Sequence, residues 1–323
     1  VPDGLSRLAT MVEGGADALA IPENAALVLA VSGGPDSMAL LHGAARLVAD
    51  KARHWQLTVA HLDHALRPDS ADDAAFVADA AAGLDLPFVT RRVDVAALAR
   101  AGRRSIEDAG REARYRFLDE EAAGDALIAT AHTLDDRAET VLLNLLRGSG
   151  LAGTRGIPAR RGRIVRPLLA VRRQTLRALL DAAGLAYRLD PSNDDPSFLR
   201  NRVRAELIPL LESLRPGAVE RIGRFADLAA DDDALLEELA VVELARRTAD
   251  GAIDWGRPPP PALGRRVLRL AIGDPAPSAE RIEALREAAA GDRGGVQIEL
   301  GAGRVASVRH RAIRIGRTSG TTE

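Results

Sequence analysis

Through its first 190 residues the chain alternates short apolar runs with stretches of helical periodicity, and that alternation leaves few folds open. Ala26–Val31, Leu57–His61, Phe88–Val93 and Ala126–Ala131 read as buried strands. A strand that is apolar on both faces belongs to a parallel sheet covered by helices, not to a sheet with one wet side. Between the runs lie the helical stretches Ser37–Ala49, Ser70–Ala82, Ser105–Ala123 and Asp136–Arg147. In the last of these, Ala138, Val141, Leu142, Leu145 and Leu146 recur at i, i+3, i+4, i+7 and i+8, a core-facing stripe that Gly148 ends. Ser105 with Asp108 three residues later resembles a capping box. The predicted class is α/β: an open parallel sheet of the five-stranded type with helices on both faces.

Further along, Arg172–Ala183 is helical with Gly184 behind it, and Phe198–Leu214 and Gly217–Arg247 are helical with a break at Pro216. Pro258–Pro261 forms a stiff linker. Leu263–Ile272 and Ala279–Ala289 follow as helices, then Val296–Leu300, Val305–Val308 and Ala312–Ile315 as short strands. A chain of 323 residues is expected to divide into two or three domains. The pattern gives a sheet domain over 1–215, a helical region over 216–257 and a small C-terminal α+β domain over 258–323.

Composition excludes several chemistries. With no cysteine there is no disulfide-linked partner, thiolate zinc site, iron–sulfur cluster or cysteine nucleophile. No apolar stretch approaches the roughly 18 residues of a membrane span, and Val1–Gly15 lacks the pattern of a signal peptide. The expectation is a cytoplasmic protein with no membrane partner. The net charge of -2 does not point to nucleic acid, but its distribution does. Arg155–Arg204 holds 12 arginines against 4 acids, whereas Ala226–Glu243 holds 7 acids and no base. That separation suggests one face for an anion and one for solvent. Lys51 is the only lysine, so a compositional preference for arginine accounts for part of the same pattern.

The chemistry starts at Ser32-Gly33-Gly34-Pro35-Asp36-Ser37, between the first strand and the first helix of the sheet. Ligands of open parallel sheets bind at such strand ends. Gly33 and Gly34 let the backbone approach phosphate oxygens, Pro35 stiffens the turn, and the helix start favours an anion. Ser32 and Ser37 supply hydroxyls. Asp36 would repel phosphate unless a cation lay between them, which implies Mg²⁺. The loop lacks the lysine of a Walker A sequence and the spacing of a dinucleotide fingerprint.

Ser32–Ser37 resembles the phosphate loop of the ATP pyrophosphatase, or PP-loop, superfamily, whose members cleave ATP between the α and β phosphates. Within it the chain resembles the tRNA(Ile)-lysidine synthetase family. His61-Leu62-Asp63-His64-Ala65-Leu66-Arg67 matches that family's H-x-D-H-x-L-R signature. Glu107, Arg111, Arg114 and Tyr115 match its E-x3-R-x2-R-Y helix. The segment from Ala131 through His132, Asp135, Asp136, Glu139 and Thr140 resembles a third motif, continued by Arg147-Gly148-Ser149-Gly150. Asp190-Pro191-Ser192-Asn193 with Phe198, Arg200, Asn201 and Arg204 resembles a fourth. The resemblance runs from about residue 26 to residue 211. Thr133 stands where a second histidine is common and Arg137 where glutamine is common, and neither receives a role from it. Long members of the family carry a larger C-terminal region.

The resemblance implies ATP-dependent joining of L-lysine to C2 of the wobble cytidine of an isoleucine tRNA with a CAU anticodon, through an adenylated cytidine. It makes 1–215 the catalytic domain, with 258–323 expected to contact tRNA. Ser32, Gly33, Gly34, Pro35, Asp36, Ser37, His61 and Asp63 would hold ATP, with Mg²⁺ on Asp36. Asp36, His132 and Asp136 would be catalytic. Arg111, Asp136 and Glu139 would hold lysine; the two acids, three apart on one helix face, suit an ammonium. Arg114, Arg147, Arg200, Asn201 and Arg204 would contact tRNA. Read without the resemblance, Asp135 and Asp136 are acids at a helix N-terminus, and Arg111 and Arg114 a solvated helix face. A sulfur-transferring tRNA enzyme of the same fold would need cysteines, as would a glutaminase-fed amidating relative. A nucleotide-dependent RNA-binding protein without catalysis would have no use for Asp36, Asp136 and Glu139.

Overall fold

A computed structural model of the chain describes residues 3–67, 69–189, 195, 198–291 and 295–317. The chain opens with α1 (Gly4–Ala18), β1 (Ala26–Ala30), α2 (Pro35–Ala49), β2 (Gln56–Asp63), α3 (Ser70–Ala82) and β3 (Phe88–Arg92). It continues through α4 (Val95–Gly102), α5 (Ile106–Glu121), β4 (Leu127–Thr130), α6 (Leu134–Leu146) and the single turn α7 (Leu151–Thr154). A hairpin of β5 (Arg160–Arg161) and β6 (Ile164–Val165) precedes α8 (Arg173–Ala182). Then come α9 (Leu199–Arg202), a π-helical turn (Val203–Leu207), α10 (Ile208–Leu214) and α11 (Ala218–Arg247). The last elements are β7 (Thr248–Ala249), β8 (Ala252–Asp254), α12 (Pro261–Ile272), α13 (Ala279–Ala290), β9 (Val296–Gly301), β10 (Arg304–Arg309) and β11 (Ala312–Arg317). Two compact units result, 1–227 and 228–323.

In the first unit the strands lie in the order β3-β2-β1-β4-β6-β5. All neighbours run parallel except β5 and β6. The expected parallel sheet therefore forms with five parallel strands, and the hairpin adds one antiparallel strand at the edge. Its sequence, Arg160 to Val165, carries too few apolar residues to read as a strand pair. Successive residues of β1 go to opposite faces, as the pleat requires. Leu27 and Leu29 join Leu57 and Val59 under Leu8 and Val12 of α1, Leu40 and Leu41 of α2 and Leu176 and Leu180 of α8. Val28 joins Ala60, Leu62 and Ile128 under Phe117 and Leu118 of α5. Each fully buried leucine contributes roughly 1.5–3 kcal/mol by leaving water.

α1 was not visible in the periodicity because Gly4, Gly14 and Gly15 read as helix breakers. Tertiary packing explains at least one of them. A Cβ on Gly15 would stand 1.8 Å from the carbonyl oxygen of Pro167, so glycine is what lets α1 approach that segment. Asp3 starts the helix, its Oδ1 accepting from the Ser6 N–H at 2.7 Å.

The second unit is an antiparallel sheet in the order β7-β8-β11-β10-β9, with α12 and α13 in its core. Trp255 is fully buried beside Val267, Leu268, Ile282, Leu285 and Ile313. The Arg247 guanidinium lies 5.7 Å from the Trp255 ring centroid and donates to the carbonyls of Asp254 and Arg257, both at 2.9 Å. Among the described residues no helix is long and apolar enough to cross a membrane.

Candidate active site

A cavity of about 460 Å³ opens at the carboxyl ends of β1, β2 and β4. The loop Ser32–Ser37 forms one wall. Gly33 has φ +85°, a conformation that side chains resist, and Gly34 caps α2 with Pro35 in its first turn. Ser37 Oγ accepts from the Ser32 N–H at 3.1 Å and donates to the Gly34 carbonyl at 2.9 Å, which holds the loop in shape. The Ser32 hydroxyl lies 3.2 Å from that of Ser37.

Asp36 has two unlike oxygens. Oδ2 accepts from Arg173 Nε at 3.0 Å, while Oδ1 is buried with no hydrogen-bond partner. Burial pushes its carboxyl up, against the pull of Arg173. An open carboxylate oxygen beside a phosphate-binding loop is a fit for a hard divalent cation, which takes one or two carboxylates and fills its shell with water and phosphate oxygens. Among the described residues no group of three or more His, Asp or Glu side chains forms a complete metal cage.

His61 and Asp63 reach the cavity from β2, but both side chains are already engaged. The Val31 carbonyl accepts from His61 Nδ1 at 2.9 Å, tying β2 to the end of β1. Asp63 accepts from the Ala65 N–H at 2.8 Å and pairs with Arg92 at 3.3 Å. His64 Nε2 lies 3.1 Å from Arg114 Nη2, and burial pushes its pKa down to about 4. Tyr115 lines the cavity, and Arg111 stacks on it at 5.0 Å from the ring centroid without lining the cavity itself.

The opposite wall comes from α6. Thr133 is fully buried and caps the helix: its N–H and hydroxyl both donate to Asp136 Oδ2 at 2.8 Å, and its Oγ1 accepts from the Asp136 N–H at 3.4 Å. A complete capping box thus fixes the Asp136 rotamer. At Ser105 only the serine half is formed, with Oγ accepting from the Asp108 N–H at 3.0 Å. Asp136 Oδ1 accepts from Arg173 at 2.7 Å and Arg200 at 3.2 Å. Burial would raise Asp136, but Arg173 and Arg200 outweigh it and hold the carboxyl at about 2. Glu139, one turn on, is 0% exposed and accepts from Arg173, Arg200 and Arg204 at 2.7–3.1 Å. His132 Nδ1 lies 3.0 Å from Thr130 Oγ1, and burial pushes its pKa down to about 4, so near neutral pH the ring is uncharged. Positive charge here belongs to arginine.

Of the residues picked out by sequence, Ser32, Gly34, Pro35, Asp36, Ser37, His61, Asp63, Arg114, His132, Asp136 and Arg204 line one cavity. Glu139 and Arg200 lie behind it in the ion-pair cluster. Arg200 and Arg204, four residues apart on one helix face, reach Glu139 together. Asn201 instead bonds the Asp195 carbonyl at 2.9 Å, and Arg147 caps the far end of α6, exposed. Asp190, Pro191, Ser192 and Asn193 lie outside the described residues. Arg137 pairs with Asp227 at 2.5 Å, away from the acids.

Sequence reading missed Arg173, which bonds Asp36, Asp136 and Glu139 at once, and Arg177 and Arg188 on the cavity wall, where Arg67 of the His61–Arg67 motif also lies. Two arginines one turn apart at the start of α8 were the available signal, obscured by the abundance of arginine elsewhere. Asp135 and Arg172 secure that helix: the Arg173 N–H donates to Asp135 Oδ2 at 2.8 Å, and Arg172 Nε lies 3.3 Å from the same carboxylate.

The chain is similar to several known proteins. The profile of the PP-loop domain matches residues 7–211. A tRNA(Ile)-lysidine synthase from Geobacter sulfurreducens is 48% identical over 228 residues, covering 67% of this chain and 48% of that protein. One from Thermus thermophilus is 48% identical over 202 residues, covering 62% of this chain and 39% of that protein. The chain thus spans about half or less of the length of these curated relatives. A U34-tRNA thiolase from Methanococcus maripaludis, solved with its [4Fe-4S] cluster, superposes with a TM-score of 0.56 at 17% identity, covering 70% of this chain and 79% of that one. It shares the fold. The matched profile takes in the sheet, the glycine-rich loop and the acidic helix, and with more than half of its residues inside that match the chain belongs to the PP-loop family.

Proposed function

We propose that the chain uses ATP to join lysine to C2 of the wobble cytidine of an isoleucine tRNA with a CAU anticodon. The observation that carries the reading is the meeting of a phosphate loop and an acid pair in one cavity: Ser32–Ser37 faces Asp136, with Glu139 directly behind. The relatives at 48% identity, named tRNA(Ile)-lysidine synthases, support the same substrate.

The loop N–H groups and Ser32 and Ser37 bind the β and γ phosphates. Asp36 would hold Mg²⁺ through its open Oδ1, and the ion would supply charge neutralisation for the leaving pyrophosphate. The cytidine O2 attacks the α phosphorus, and pyrophosphate leaves with the electron pair of the broken bond. Arg114 and Arg204, with His132 as a neutral hydrogen-bond partner, face the charge that develops there. The lysine ε-amine then attacks C2 and AMP departs. Asp136 and Glu139 hold the lysine ammonium, one of them takes up the proton released, and Arg111 receives the lysine carboxylate. Arg147 and the region 258–323 contact tRNA. Arg200 and Arg204 are committed to Glu139 first, so tRNA contact falls to what their remaining donors reach.

Incorporation of radiolabelled lysine into a tRNA bearing a CAU anticodon, with release of pyrophosphate, is the expected result. ATP binding without lysine-dependent pyrophosphate release would mean a nucleotide-dependent RNA-binding protein instead. Sulfur transfer by cysteine persulfide or a cysteine-held cluster has no residue to carry it, since the chain has no cysteine.

A further inference from the structure

Asp36 comes from α2 and Asp136 and Glu139 from α6, and one guanidinium from α8 joins all three. Arg173 Nε reaches Asp36 Oδ2 at 3.0 Å, Nη2 reaches Asp136 Oδ1 at 2.7 Å, and Nη1 reaches Glu139 Oε1 at 3.1 Å. Arg200 and Arg204 pair with Asp136 and Glu139. Three carboxylates thus meet three guanidinium groups, and their charges balance. A further cation cannot enter such a set without displacing one already there, since like charges at this range repel strongly when shielded from water.

Of the three arginines, Arg173 is the one bonded to Asp36, and it lines the cavity. Its backbone N–H is fixed on Asp135 and the neighbouring Arg172 is anchored to Asp135, Glu212 and Glu220. A change in its side-chain torsions would therefore leave the helix start in place. Arg177, one turn further along α8, lines the same cavity and is exposed. A polyphosphate lying on the Ser32–Ser37 loop would offer both arginines charge-assisted bonds to its oxygens.

We propose that Arg173 is a place-holding cation. In the nucleotide-free protein it fills the triangle of Asp36, Asp136 and Glu139. When a metal-bound polyphosphate arrives it passes to the phosphate oxygens, which frees Asp36 for the metal and Asp136 and Glu139 for a cationic substrate. Metal alone and lysine alone are shut out, and binding is ordered. The inference rests on the ATP reading of the loop and, in its substrate clause, on the lysine reading.

The test uses the full chain as wild type, Arg173→Gln and Arg173→Lys, with folding checked by circular dichroism. Manganese binding without nucleotide is titrated by electron paramagnetic resonance. The glutamine variant is expected to bind Mn²⁺ on the order of tenfold more tightly than wild type, because a charged competitor for Asp36 is gone. The lysine variant keeps the charge but cannot span three carboxylates, and is expected to fall between the two. Equilibrium dialysis with radiolabelled lysine should show binding to wild type only with Mg²⁺ and a non-hydrolysable ATP analogue, and to Arg173→Gln without them. Mn²⁺ affinity in the glutamine variant no higher than wild type overturns the proposal; if that variant does not fold, the same result in the lysine variant overturns it. Lysine binding absent from all three proteins, with and without nucleotide, removes the lysine reading, and the manganese comparison then judges Arg173 by itself.

Discussion

Asp36 is a carboxylate whose two oxygens differ, one held by Arg173 and one buried without a hydrogen-bond partner. Asparagine keeps the shape and can keep one bond, but it removes the charge. Asp36→Asn should therefore cut pyrophosphate release by about 10²-fold or more while Tm stays close to wild type. Turnover near normal at saturating Mg²⁺ would show that the carboxylate is dispensable. The buried titratable groups also set an acid limit on stability. Asp136 is held at about 2, below its ordinary 3.8, so its contribution is present above pH 3.8 and lost as pH falls toward 2. His132 and His64 sit at about 4 against an ordinary 6.5, so the unfolded chain takes up protons first as pH falls from 6.5 to 4. Both effects act in one direction. The urea midpoint should fall steadily from pH 6.5 down to about 2. A midpoint that holds level from pH 6.5 to pH 4 would mean that these histidines are not buried neutral.

The element that positions the acids is α6, and its first turn is set by Thr133. Family sequences commonly have a histidine there, yet the hydroxyl serves this chain in a particular way: it caps the helix and fixes Asp136 Oδ2, leaving Oδ1 to face the arginines. Arg137, the other departure, leaves the site altogether and pairs with Asp227. α8 is fixed against the same helix start through Asp135. α1 in turn packs against α2 and α8, and it approaches the segment before α8 at Gly15. Gly15→Ala would drive a methyl group into the Pro167 carbonyl, 1.8 Å away. The expected cost is roughly 1–3 kcal/mol, read as a lower urea midpoint with little change in slope. An unchanged midpoint would mean that α1 can back away at no cost.

At the scale of the molecule, every residue that lines the cavity lies in the unit 1–227, which has its own sheet and core. The unit 228–323 has a separate core around Trp255. Wobble cytidine occurs in many tRNAs, so under the proposed function selection of one tRNA needs contacts away from that base. Arg269, Arg309, Arg311 and Arg314 in the second unit offer exposed positive charge for them. A chain ending at Asp227 is expected to bind ATP as the full chain does and to lose affinity or selectivity for tRNA. A cut at Trp255 would be a poorer test, because it removes α12, α13 and the strands that bury that side chain. If the chain ending at Asp227 modifies isoleucine tRNA as selectively as the full chain, the second unit is not a recognition element.

Local pattern was enough for the parallel sheet and for the loop at the end of β1, because strand burial and backbone freedom are written in neighbouring residues. It was enough also to put Asp136 and Glu139 on one face of α6, since three residues span nearly one turn. It did not reveal α1, whose glycines look like breakers until the segments that Gly4 and Gly15 approach are in place. Nor did it reveal the short hairpin of β5 and β6, which has too few residues to show a period. Arg173 was hidden for a different reason. Its spacing from Arg177 is lost among the other arginines, and its partners are 34 to 137 residues away. Periodicity and turn chemistry act over a few residues and the sequence alone determines them, whereas an ion-pair cluster in a buried site depends on which helices the core brings together, and only the tertiary structure decided that.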